Sequence, residues 1–299
     1  LKVGAAVTMS NPELPVDDYA AHLAYTRAKV LFVDADLAAR AAAAIAGATA
    51  IVVGGAEGAR TLSYEARVAA ALARFSNADT RADDPAIWIA TSGSTGRPRA
   101  AVHGHRGFAF SIDAYAKGVL GLGAGDVTLS VPKLYFGYAT GMSLLFPLAV
   151  GGTAVLYPDR PSPERMFELV ARHRPTVLAL VPTLIAKMLA ASPSDEVLRA
   201  FADARLATAA GESLPAPLYA RWRERFGVGI IEGLGSAELF HIHVSNRPGD
   251  VHPGTLGRVV PGYEARVVRD DGSDARAGEI GALWVRGGSR ALHYEDDPE

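Results

Sequence analysis

The chain contains no cysteine, which excludes a disulfide framework, a thiolate metal site and a cysteine nucleophile. It has no excess of either charge: 30 lysines and arginines face 32 aspartates and glutamates, a formal net charge of −2. That balance argues against a nucleic-acid binder held by bulk charge. Long apolar runs are missing as well. The longest near the middle, Met142 to Val150, is too short to span a bilayer and is broken by Pro147. Leu1-Lys2-Val3-Gly4 is no basic head followed by an apolar stretch and a cleavage site. A cytoplasmic protein without a membrane span is therefore expected. The pattern G-x-x-x-x-G-K-[ST] does not occur, which excludes a P-loop of the GTPase or kinase type. What is present is hydrophobic content: 49% of 299 residues, enough for one or two sizeable cores and too much for a disordered chain. Gly (31) and Pro (18) are plentiful, so many turns are expected.

Short β-branched runs alternate with longer helical stretches. Val30 to Asp34 and Ala50 to Val53 read as strands, with the Ala-rich run Asp36 to Ala46 as a helix between them. Ile87 to Ala90 is a strand that feeds a Gly/Ser/Thr loop, and His105 to Leu120 has helical length. Val127 to Val131 and Thr153 to Tyr157 are strands. Ser162, followed by Pro163 and Glu164, starts a helix with an N-cap hydroxyl, a proline at the first position and an acid in the first turn; Pro175 closes it. Thr176 to Val181, Leu206 to Ala209 and Val228 to Ile231 are further strands, the last two separated by a helix over Ala216 to Phe226. This alternation predicts an α/β fold with mostly parallel sheets covered by helices. After about Gly257 the pattern changes. Ala265 to Val268 and Ile280 to Arg286 read as strands joined through Asp270-Asp271-Gly272, a small antiparallel, barrel-like unit. The expected divisions are 1–120, 121–256 and 257–299.

The most informative stretch is Thr91-Ser92-Gly93-Ser94-Thr95-Gly96-Arg97-Pro98-Arg99, directly after an apolar strand. Glycines let backbone amides face an anion, hydroxyls add donors, and arginines neutralise charge. Its composition is that of a phosphate-binding loop.

Thr91 to Arg99 resembles the phosphate loop of the adenylate-forming superfamily, which includes acyl-CoA synthetases, aryl-acid ligases, peptide-synthetase adenylation domains and luciferases. Glu232-Gly233-Leu234-Gly235-Ser236-Ala237-Glu238 resembles a second motif of that family, Gly278 to Gly287 a third, and Leu1 to Pro12 an earlier one. Four motifs in order cover nearly the whole chain. Pro132 to Tyr138 and Ser245 to Asp250 look most like benzoate-CoA ligases. The resemblance implies the large N-terminal domain of such enzymes, incomplete at both ends. It implies that a carboxylate, here an aryl acid such as a benzoate, attacks the α-phosphate of ATP. Coenzyme A as co-substrate then displaces AMP to give a thioester, aided by Mg²⁺. Its partners are small molecules, and a homodimer is left open.

Residue roles follow from the same resemblance. Thr91, Ser92, Gly93, Ser94, Thr95, Gly96 and Arg99 hold the nucleotide phosphates. Thr95, Arg99 and Glu238 carry the catalytic work, with Glu238 and Thr95 on Mg²⁺. Ala210, Gly211 and Glu212 form one wall of the adenine slot, and Glu232 accepts from the adenine amino group. Gly233, Leu234, Gly235 and Ser236 complete the nucleotide site, Leu234 standing where relatives stack an aromatic ring. Tyr135, Phe136, Gly137 and Tyr138 border the acid, with Leu239 and His241 on the same wall. Gly137 is read as leaving room for a flat ring. Two departures stand out: Arg99-Ala100 replaces the usual Lys-Gly, and Ala237 replaces a threonine. The ribose-binding aspartate and the adenylation lysine of the family are expected beyond Glu299, so this segment alone is expected to lack full activity.

His103-x-His105 and His241-x-His243 have strand spacing for a metal pair but no third ligand or cysteine to support zinc. His103 and His105 are read as shaping the phosphate loop. Gly121-x-Gly123-x-Gly125 follows a helix and reads as a turn. Two other functions share these motifs: an adenylation unit that loads a carrier-protein thiol, and a non-catalytic nucleotide-binding relative. An amino-acid substrate is disfavoured, because Tyr135 to Tyr138 offers no aspartate for an ammonium group.

Overall fold

The structure is a computed structural model that describes residues 1–58, 61–91 and 99–295. By packing, the chain separates into two units, Leu1–Asp79 and Thr80–Glu299. Residues 80–120, grouped with the first subdomain in the sequence reading, lie in the second unit. Tyr115, Ala116 and Leu120 there share one core with Val177, Ala179 and Ile231, and burial of that apolar face outweighs proximity in sequence.

The first unit carries a parallel sheet of Val30–Asp34, Thr49–Val53 and Thr61–Ser63, with Val30 opposite Thr49 and Ala50 opposite Thr61. Val33, Ala50 and Val52 point into a small core with Tyr19 and Ala41. The helix expected over Asp36 to Ala46 ends at Arg40. The Asp34 side chain caps its start by accepting from Leu37 N–H. Ala41 is buried in the core at its end, so packing overrides the helix propensity of the alanines that follow.

The second unit is built on a seven-stranded sheet. Its order is Arg258–Val259, Ile242–Ser245, Ile230–Gly235, Leu206–Ala209, Val177–Leu180, Val127–Ser130, Thr153–Val155. The last five are mutually parallel, and the first two are antiparallel additions. Every residue of Val177–Leu180 is buried. Leu178 and Leu180 enter a core with Met166, Ile185, Phe201 and Trp222, while Val177 and Ala179 enter the opposite one with Met142 and Phe146. A strand with two buried faces is what a helix-covered parallel sheet requires. Two helices match the sequence reading closely, Pro163–His173 behind the Ser162 cap and Ala216–Phe226.

A second sheet pairs Pro85–Thr91 with Arg99–Gly104, and Arg99–Gly104 with His293–Tyr294, all antiparallel. Neither of the latter two strands is evident in the sequence pattern. The long helix expected over His105 to Leu120 is α-helical only to Ser111. It then widens, with Gly118 N–H reaching Asp113 O at 3.0 Å and Leu120 N–H reaching Tyr115 O at 2.9 Å. The antiparallel unit after Gly257 is a two-stranded ladder, Glu264–Val268 with Ala282–Arg286. No helix among the described residues is long and apolar enough to cross a membrane.

Candidate active site

The parallel strands of the large sheet end together, and the chain leaving them encloses a cavity of about 460 Å³. Such a crevice at strand C-termini is where open α/β sheets bind ligands. One wall is the stretch Tyr135, Phe136, Gly137 and Tyr138, and another is Ala210, Gly211 and Glu212. Gly235, Ser236 and His241 close the third side. Ten residues singled out from sequence thus meet in one space.

The acid wall is tightly built. The Tyr138 hydroxyl bonds the Thr208 hydroxyl, and burial pushes it well above the ordinary tyrosine range. Its hydroxyl is committed to Thr208, and its ring is what it offers a ligand. Gly137 does not open a slot in the way the sequence implies. A Cβ there would stand 2.7 Å from Phe240 O and 3.2 Å from Ile89 Cδ1. The glycine lets two backbones approach, and Phe240, held at φ 65°, supplies the carbonyl. His241 is buried and donates from Nε2 to Tyr138 O at 3.1 Å. Burial lowers its pKa to about 3, so the ring is neutral. It lies among Phe146, Tyr115 and Tyr138, with centroids at 4.6, 5.2 and 5.7 Å. Gly141 makes room for it, since a Cβ would meet His241 Cδ2 at 2.5 Å.

The Gly211 backbone, at φ 89°, has open space where a side chain would stand, so a flat ligand can lie against it. Glu212 is anchored to the helix Pro182–Ala190: its Oε2 accepts from Thr183 N–H at 3.1 Å and Thr183 Oγ1 at 2.6 Å. Glu232, Gly233 and Leu234 do not line the cavity. Glu232 is buried, accepts Leu214 N–H at 2.8 Å, and is raised by burial. Gly233 and Leu234 are paired in the sheet opposite Ser245 and Val244. Leu239 is buried in the core beneath.

Glu238 sits in the short turn Ala237–Leu239 beside the cavity. Burial pushes its pKa upward, but hydrogen bonds from Tyr294, its own backbone N–H and Ser236, with the nearby His103, outweigh it and hold the carboxylate below its usual range. It is ionised at neutral pH. Because the Ser236 hydroxyl serves Glu238, it does not replace the hydroxyl missing at Ala237. His103 serves the same turn instead of the phosphate loop. Its Nε2 donates to Ala237 O at 2.6 Å, and Ser289 O lies 3.2 Å from Nδ1. His105 starts the helix His105–Ser111. No group of three His, Asp or Glu side chains able to hold a metal occurs among the described residues.

Thr91 and Arg99 face each other across the antiparallel pair, so the loop expected to bind phosphate springs from adjacent strand ends. Ser92, Gly93, Ser94, Thr95 and Gly96 lie outside the described residues. Sequence reading missed Ile89, Phe240 and Ile242 on the cavity wall. Apolar residues inside strands give no signal of which face will meet a ligand. Phe240 is the exception in kind, because its function lies in a backbone angle that sequence does not display.

A family model described as AMP-binding enzyme matches residues 1–294. The benzoate–CoA ligase of Thauera aromatica is 45% identical over 252 residues, 83% of this chain and 47% of that protein. The 4-hydroxybenzoate–CoA/benzoate–CoA ligase of Rhodopseudomonas palustris is 36% identical over 297 residues, 98% of this chain and 55% of that protein. Among solved structures, the anthranilate CoA ligase AuaEII in complex with anthranoyl-AMP superposes with a TM-score of 0.91 at 33% identity, over 100% of this chain and 57% of that one. The chain spans about half the length of these relatives.

Proposed function

The chain belongs to the AMP-binding enzyme family, and from that premise we propose that the whole protein is an AMP-forming aryl-acid–CoA ligase. The observation that carries this reading is the convergence on one cavity of an aromatic wall, Tyr135 to Tyr138 with His241, and an open backbone wall at Gly211. Both lie beside an ionised carboxylate, Glu238. In the first half-reaction a carboxylate oxygen of the acid attacks the α-phosphorus of ATP, and pyrophosphate leaves. In the second, the sulfur of coenzyme A attacks the acyl carbon, its proton goes to solvent, and AMP leaves. No covalent bond to the enzyme is needed, so catalysis rests on positioning and on charge stabilisation.

The chain's own residues divide that work. The ring of Tyr138 and the neutral ring of His241 hold the flat acid without placing a charge in its pocket. The Ala210–Gly211 backbone bears the adenine, and Arg99 neutralises phosphate charge at the end of its loop. Thr91, Ser92, Gly93, Ser94, Thr95 and Gly96 supply hydroxyl and amide donors to the phosphates. Glu238 fits a hard cation: an ionised carboxylate suits a metal that completes its shell with phosphate oxygens and water. Mg²⁺ held there would offset the charge of the phosphates as pyrophosphate leaves.

The test is product analysis on the complete protein with ATP, Mg²⁺, coenzyme A and a panel of acids. Benzoates should give AMP and an aryl thioester, with kcat/KM at least about ten-fold above that for long-chain fatty acids. A preference for fatty acids would overturn the aryl assignment, and adenylate without thioester would favour a carrier-protein acceptor.

A further inference from the structure

The turn that bears Glu238 is gripped by residues 289–295. Ser289 Oγ donates to Leu239 O at 2.8 Å. Ala291 N–H donates to Glu238 O at 2.7 Å, and the Tyr294 hydroxyl donates to Glu238 Oε1 at 2.7 Å. The same residues form a sheet edge against the strand that begins at Arg99. His293 pairs with Val102 and Tyr294 with Ala101, while Leu292 N–H reaches Val102 O at 2.7 Å and Glu295 N–H reaches Ala100 O at 2.9 Å. Tyr294 therefore stands between the end of the phosphate loop and the candidate metal carboxylate. It touches both. The Arg99 guanidinium carbon lies 5.5 Å from the Tyr294 ring centroid, within cation–π range.

We propose that Tyr294 is a positioning residue for the phosphate-and-metal end of the site, its hydroxyl setting the Glu238 carboxylate and its ring setting Arg99. This rests on the ATP-dependent function proposed above. The chemistry of the contacts supports it. A phenol donating to Oε1 fixes the orientation of the carboxylate that would hold a hard cation. Partners of this kind in the outer shell orient metal ligands and sustain their affinity. Stacking a guanidinium on a ring fixes its plane without itself consuming N–H donors. The hydroxyl is not needed to keep residues 289–295 in place, because the backbone bonds of Ala291, Leu292 and Glu295 already hold them. Its bond to Glu238 thus serves the carboxylate and not the strand.

Tyr294→Phe removes the hydroxyl and keeps the ring. Equilibrium binding of ATP to the complete protein, measured with Mg²⁺ and again with EDTA, reads the effect without turnover. The Phe variant should bind ATP on the order of ten-fold more weakly when Mg²⁺ is present, and within about two-fold of wild type when it is absent. In a Glu238→Gln background the same substitution should add less than about two-fold, because the hydroxyl acts through Glu238. Tyr294→Leu, which also removes the ring, should weaken metal-free binding too. The inference is overturned if Tyr294→Phe binds ATP with Mg²⁺ like wild type. Equal weakening of both forms, or a full loss that persists beside Glu238→Gln, overturns it as well. Wild type that binds ATP with no response to Mg²⁺ defeats the inference alone. Wild type that binds no ATP defeats the proposed function with it.

Discussion

His241 shows how much one buried side chain sets. The ring lies among Phe146, Tyr115, Tyr138 and Phe240, and burial takes its pKa from an ordinary 6.5 to about 3. A folded chain that refuses a proton loses stability wherever the unfolded chain accepts one. The contribution is therefore complete above pH 6.5 and drains away as pH falls from 6.5 toward about 3. Asp126 adds a second loss lower down. Burial raises it, but the bonds from Arg205, Thr176 and Gly123 prevail and hold it at about 2, against an ordinary 3.8. Between pH 6.5 and 5 every other titrating group is common to wild type and a His241 variant, so their difference isolates His241. His241→Gln keeps a donor without titrating. Its unfolding free energy, measured by denaturant titration, should fall by about 2 kcal/mol less than wild type over that interval, at about 1.4 kcal/mol per pH unit. Identical slopes would show that His241 is not held neutral by the fold. At this scale the sequence was a partial guide. It marked Tyr138, Gly211, Glu238 and His241 through motifs, and the structure sets Gly211, Tyr138 and His241 at one cavity with Glu238 beside it. The part played by Gly137 was not legible, because the close approach it permits involves Phe240, distant in the chain and in an unusual backbone conformation.

Elements whose ends carry chemical signals were read most accurately. The helix Pro163–His173 begins where Ser162 accepts Arg165 N–H at 3.2 Å and ends where Arg174 adopts a left-handed conformation at φ 46° just before Pro175. Ser162→Ala should cost about 1 kcal/mol, a fall of about 2–4 °C in Tm for a unit of this size. A thermal scan that shows no change would mean that Pro163 and packing alone fix the start. Elements without such signals were misread. Arg99–Gly104 was assigned to no element, yet it is a largely buried strand because Pro85–Thr91 lies beside it. The stretch Ile112–Lys117 has helical composition, and its widened turns carry Tyr115, which packs against Phe146 and His241. Both outcomes depend on distant partners, which local propensity does not contain.

At the scale of the molecule, strand–helix alternation was sufficient to predict a parallel sheet with two covered faces, and the second unit has one. The unit boundary was not visible, since residues 80–120 are held to the second unit by a core that forms only on folding. The sheet explains the site's location: strands ending at Ser130, Ala209 and Gly235 deliver the acid wall, the Gly211 backbone and the Glu238 turn to one edge. The reaction proposed for this edge joins an aryl carboxylate to the α-phosphate of ATP. Acid-dependent exchange of labelled pyrophosphate into ATP, run on the complete protein without coenzyme A, tests that step directly. Mg²⁺-dependent exchange with benzoate or a substituted benzoate is expected, falling at least about ten-fold in Glu238→Gln. Absence of exchange with every aryl acid tried, in protein shown to bind ATP, would contradict it.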